Sequence, residues 1–145
     1  MKRKIEMDDL IDRTAEPFAS FHDATLCKIN IDYDSKTLSA EFEMCVGNPD
    51  GSNKDERERI RRGLLNLSGL VLWAIELPHN KDQHSRGPLW LVHDCLMEEA
   101  STEQGKELSG TLGTDVYAWC MFFSDINAFG YCAANEATFV WQERA

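Results

Sequence analysis

The sequence predicts an α+β, β-rich fold: a mainly antiparallel sheet of about seven strands with a short N-terminal helix. Three observations point there. Residues 24–46 hold two alternating apolar and polar runs joined by a short polar turn. Residues 116–141 are nearly continuous apolar and aromatic segments, broken by Ser124-Asp-Ile-Asn127 and Asn135-Glu136. The 145 residues are 43% hydrophobic and 28% charged, the balance of one globular domain with its own core.

Ile5 to Arg13 predicts a short acidic helix with Met7, Leu10 and Ile11 on one side, ended by Pro17. From Ala24 to Tyr33, Cys27, Ile29, Ile31 and Tyr33 should face one way and Lys28, Asn30 and Asp32 the other, because successive strand residues point to opposite faces. Asp34-Ser-Lys36 is a turn. In the next run Leu38, Ala40, Phe42, Met44 and Val46 point inward and Ser39, Glu41 and Glu43 outward, completing an antiparallel hairpin.

A breaker-rich loop, Gly47 to Asn53, follows. Asn53 could cap a helix, with Ile60, Leu64 and Leu67 on one helical face. Gly63 and Gly69 would each cost that helix about 1 kcal/mol. The balance favours strands at 58–67 and 70–77 with a bend at Ser68-Gly69. A polar loop spans Pro78 to Pro88, and Leu89 to Met97 is a strand. Residues 98–113, with three glycines, predict a loop with one short strand at most. Val116 to Phe123 forms a central strand; Phe129–Ala134 and Ala137–Trp141 finish the sheet. No repeat or long linker divides residues 1–145, so a single domain is expected.

Acids outnumber bases, 25 Asp+Glu against 15 Lys+Arg, for a net charge of −10. This disfavours nucleic acid and anionic membrane surfaces, which both call for cations, and it would steer in a basic protein. No apolar run follows Met1-Lys-Arg-Lys, so no secretory signal is expected, and Leu70–Ile75 is too short to cross a bilayer. The 5 cysteines lack any C-x-x-C spacing and suit a reducing cytoplasm. Nothing beside them in sequence would clearly lower a thiol pKa.

Two motifs, His22-Asp23-Ala24 and His93-Asp94-Cys95, could supply metal ligands or a base with its orienting carboxylate. Neighbouring strand residues diverge, however, so each His and the following Asp should not converge on one ion. A structural role at the strand starts is favoured, with no catalytic or metal residue and no cofactor. His79 and His84 beside Asp82 read as an exposed loop. Nucleophile-elbow and phosphate-binding glycine motifs are absent from the sequence. Glu41 and Glu43 serve solubility or a docking patch for Arg and Lys groups. Of the aromatic residues, 8 lie between Tyr117 and Trp141; core packing explains them better than base stacking, which needs a basic groove.

Ser20-Phe21-His22-Asp23-Ala24-Thr25-Leu26, leading into the strand Lys28–Tyr33, resembles the N-terminal signature of small bacterial proteins, some of them immunity proteins of polymorphic toxin systems and others uncharacterised. The resemblance is motif-level over residues 20–46 and pattern-level beyond. It implies a β-rich fold and a non-catalytic inhibitor of a toxin, and it assigns no functional residue.

The expectation is therefore a non-catalytic, cytoplasmic protein-binding module, with an immunity protein against a basic toxin as its specific form. The candidate binding residues are Glu41, Glu43, His22 and Asp23. Two rivals stand beside it. One is a small metal-dependent enzyme using His22, Asp23, His93 and Asp94. The other is a homo-oligomeric module built on strand edges and exposed aromatics.

Overall fold

Six antiparallel strands close into a barrel in the order β1-β2-β3-β6-β5-β4. They are β1 (Ala24–Asp32), β2 (Thr37–Cys45), β3 (Ile60–Ile75), β4 (Leu89–Leu96), β5 (Tyr117–Phe123) and β6 (Ala128–Trp141). The structure is a computed structural model that describes residues 4–78 and 87–143. His79, Asp82 and His84 lie outside the described residues.

The hairpin forms as the alternation requires. Leu38, Ala40, Phe42, Met44 and Val46 are all buried, and β1 pairs with β2 from Thr25↔Glu43 to Asp32↔Thr37. The phase of β1 matches expectation at Ile29 and Ile31 and departs from it only before them and at Tyr33. A bulge between Leu26 and Lys28 shifts the alternation by one residue. Ala24 and Leu26 are buried in the core, Ile29 and Ile31 pack against it, and Tyr33 ends 81% exposed instead of inward.

Among the described residues six strands stand where about seven were expected, because two pairs of the eight segments read from the sequence each form one continuous strand. The segments expected at 58–67 and 70–77 are one strand, β3. Gly69, at φ +58°, takes the bend in a backbone conformation costly for other residues, and a register shift follows between Leu70 and Leu72. Opposite it, β6 runs unbroken through Asn135 and Glu136. Ala24↔Leu91, Thr25↔Trp90 and Leu26↔Leu89 then join β1 to β4 and close the barrel.

Side chains of Phe21, Phe42, Leu65, Leu91, Trp119 and Phe123 fill the interior. The N-terminal segment packs onto this core, but residues Met7–Leu10 form a 3-10 turn and not the expected helix. Met7 and Ile11 are buried, the Trp119 indole donates to the Ile5 carbonyl at 2.8 Å, and Asp8 accepts from the Phe21 N–H at 2.8 Å. Tertiary bonds thus supply what a chain this short cannot gain from helix propagation.

Two helices depart from expectation. Asn53 does cap a turn, accepting from the Glu56 N–H at 2.9 Å, but α1 (Lys54–Arg57) stops before β3 begins. Residues Glu103–Thr111, expected as loop, form α2. Thr102 caps it by accepting from the Gly105 N–H at 3.0 Å. Gly105 is suited to that place because a Cβ there would meet Ala100 and the Tyr131 ring. Beneath α2 a second core forms on the outside of the barrel, containing Met97, Ala118, Cys120, Tyr131 and Ala133.

Candidate functional site

The barrel wall carries two rows of short polar side chains across four strands. One row runs Asn30↔Ser39↔Asn66↔Thr138, and the next runs Asp32↔Thr37↔Ser68↔Glu136. The intervening row, Ile31, Leu38, Leu67 and Ala137, faces the core. Period-two alternation therefore puts eight polar residues on one outer face. They line a half-open groove of 790 Å³, with Tyr33 and Asp34 at the hairpin end. A smaller depression of 230 Å³ adjoins it, sharing Asn30 and Ser39 and reaching Lys28, Glu41 and Gln142.

Asp32, Asp34 and Glu136 are the acids of the groove, and none of the described lining residues is Lys or Arg. Asp32 Oδ1 accepts from the Asp34 N–H at 3.0 Å and the Ser35 N–H at 3.2 Å. Hydrogen bonding from Ser35 is the main cause that holds its carboxyl below the usual range. It therefore stays charged at neutral pH. Amides and hydroxyls supply the rest of the floor as adaptable donors and acceptors.

Of the sequence-predicted sites, Glu41 and Glu43 do share the outer face of β2. Arg62 spans both, donating from Nε to Glu43 at 3.0 Å and from Nη1 to Glu41 at 3.5 Å. Much of the charge that would attract a partner there is answered by this chain's own guanidinium. His22 and Asp23 sit at the barrel seam, with His22 Nε2 3.5 Å from Asp23 Oδ2. Asp23 also accepts from the Trp90 indole at 3.2 Å, and its N–H donates to the Leu91 carbonyl at 2.7 Å. It holds φ +66°, a conformation Asp tolerates better than most residues.

His93 and Asp94 diverge, as neighbours on a strand must. His93 is exposed and Asp94 half-buried. A register shift between Leu91 and His93 puts Asp94 in line with inward-facing Met121. Burial is the main reason its pKa rises to about 6, with Asp8 adding repulsion. Among the described residues, no group of three or more His, Cys, Asp or Glu could hold a metal ion. The two His-Asp pairs thus do not assemble the metal centre that the enzyme reading requires.

The groove residues escaped sequence reasoning because they come from four separated strands. A faint signal existed: the outward positions Asn30, Ser39 and Asn66 carry short amides and hydroxyls, where a merely solvated face tends to carry Lys and Glu.

No family model and no curated protein matches the chain. Among solved structures it is distantly similar to the crystal structure of an uncharacterized protein from Neisseria gonorrhoeae, with 12% identity, a TM-score of 0.42, and coverage of 83% of this chain and 93% of that one. Among the described residues no helix is long and apolar enough to cross a membrane.

Proposed function

We propose that this protein is a non-catalytic binding module whose outer groove receives an extended, Lys- or Arg-bearing segment of a partner protein. The observation that carries the reading is the groove itself, lined by three acids and by no Lys or Arg among the described lining residues. A cationic side chain there would meet carboxylates in charge-assisted hydrogen bonds, with amides and hydroxyls for the segment's backbone. Tyr33, at the hairpin end, offers an aromatic face to a guanidinium. The net charge of −10 would steer such a partner in.

The specific form we propose is an immunity protein, with a basic toxin domain as partner. It draws on the resemblance of residues 20–26 to such proteins and on the acidic field. Inhibition of this kind needs occlusion and a slow off-rate, without chemistry. A reducing cytoplasm is the compartment we propose, since five free thiols suit it.

The test is an NMR titration with an Arg-rich peptide and a Glu-rich control. The Arg-rich peptide should shift Asn30, Ser39, Asn66 and Thr138, while the control shifts none of them. Asp34→Lys with Glu136→Lys should weaken binding about tenfold or more and flatten its salt dependence. Equal binding of both peptides, or indifference to the charge reversals, would overturn the groove. The toxin form fails separately if the product of the adjacent gene does not co-purify.

A further inference from the structure

Cys95 and Cys120 stand directly opposite each other on β4 and β5. Both belong to the outer face of the barrel, beneath α2, where Cys120 is buried in the second core and Cys95 packs against its edge. Directly opposed residues on one face of an antiparallel pair have Cβ atoms about 4.5–5.5 Å apart. A disulfide asks for about 3.5–4.5 Å, within reach of a small strand adjustment. The Cys120 thiol beside it is the main cause lowering the Cys95 pKa, and half-buried Cys95 is the sulfur of the two that a solution oxidant can reach. The neighbouring Cys132 is wholly buried in the barrel interior instead.

We propose that Cys95 and Cys120 form a thiol–disulfide couple, with half-buried Cys95 as the attacking sulfur and buried Cys120 as the resolving one. The oxidant is a low-molecular-weight disulfide such as oxidised glutathione. The Cys95 thiolate attacks one of its sulfurs, that S–S bond breaks, and the first glutathione leaves as a thiolate that takes up a proton. Cys120 gives its proton to solvent and attacks the Cys95 sulfur. The second glutathione then leaves and is protonated. Two protein thiols lose two electrons, and one small disulfide is reduced to two thiols. The new bond ties β4 to β5 across the second core.

The asymmetry makes the proposal testable. Cys45 is exposed, so the protein used is Cys45→Ser, which prevents intermolecular pairing. It is treated with oxidised glutathione, then denatured, and its free thiols are counted and its peptides mapped by mass. Free thiols should fall from four to two, with the mass of two hydrogens lost and a Cys95–Cys120 crosslink. Adding Cys120→Ser should trap one glutathione on Cys95. Adding Cys95→Ser should leave Cys120 unmodified, because Cys120 is itself buried. Retention of all four thiols, a link that uses Cys27 or Cys132, or a glutathione on Cys120 in the Cys95→Ser protein would overturn the proposal. Far-UV circular dichroism before oxidation confirms that each variant is folded.

Discussion

Glu16 and Arg59, far apart in the chain, meet in a two-bonded ion pair: Nη2 to Oε1 at 2.6 Å and Nη1 to Oε2 at 2.9 Å. The Glu16 side chain is 3% exposed and the Arg59 side chain 41%. Arg61 approaches the same carboxylate at 3.7 Å and sets its guanidinium over the Trp141 ring, 5.2 Å from the centroid. The pair ties the segment before β1 to the start of β3. Glu16→Gln should cost about 2 kcal/mol in urea unfolding at pH 7, since Arg59 can rehydrate but the buried site loses its charge.

The pH dependence of that cost has a definite sign. The hydrogen bond from Arg59 is the main cause lowering the Glu16 pKa. Its contribution is therefore present above the unfolded carboxyl value and is lost as pH falls through the lower folded one. The Glu16→Gln protein should lose less stability than the parent on acidification below about pH 4.5.

Asp94 behaves in the opposite sense. Its folded pKa is raised to about 6 chiefly by burial, with Asp8 adding repulsion. The folded state prefers the neutral carboxyl, so this group favours folding at low pH and opposes it as pH rises through about 6. Asp94→Asn should raise stability at pH 7.5 by about 1–2 kcal/mol, after allowing for solvent screening, and give little change at pH 4. Urea midpoints at the two pH values check this. An unchanged pH profile would show that Asp94 ionises without penalty.

Thr102 links α2 to the barrel. Its hydroxyl accepts from the Gly105 N–H and lies 2.7 Å from the Tyr131 hydroxyl. Thr102→Val removes both contacts and should cost about 1–2 kcal/mol. Hydrogen exchange should show α2 loosening while the amides of β2 keep their protection.

Glycines offer a paired comparison. A Cβ at Gly63 would run into the ring of Phe139, which lies over it from β6. Gly63→Ala should therefore cost about 1–3 kcal/mol by overpacking. Gly110, inside α2, has open space around its Cβ position, and Gly110→Ala should be neutral or stabilising by up to about 1 kcal/mol. The denaturation midpoint should fall for Gly63→Ala and should stay level or rise for Gly110→Ala.

Local pattern was enough to place the β-hairpin, its inward set from Leu38 to Val46, and the burial of Trp119, Phe123, Tyr131 and Phe139 among the C-terminal aromatics. Alternation is a local property, because each residue's face follows from its neighbour's. Where the chain bends without breaking depends on contacts between distant segments. Gly69 could end a strand or curve one, and only the β6 ladder opposite it selects the curve. The same holds for barrel closure through three residue pairs, for the 3-10 turn held by Trp119 and Asp8, and for α2 resting on Tyr131. The groove belongs to this second class: Asn30, Ser39, Asn66 and Thr138 become neighbours only through strand register, which depends on pairings between distant parts of the chain.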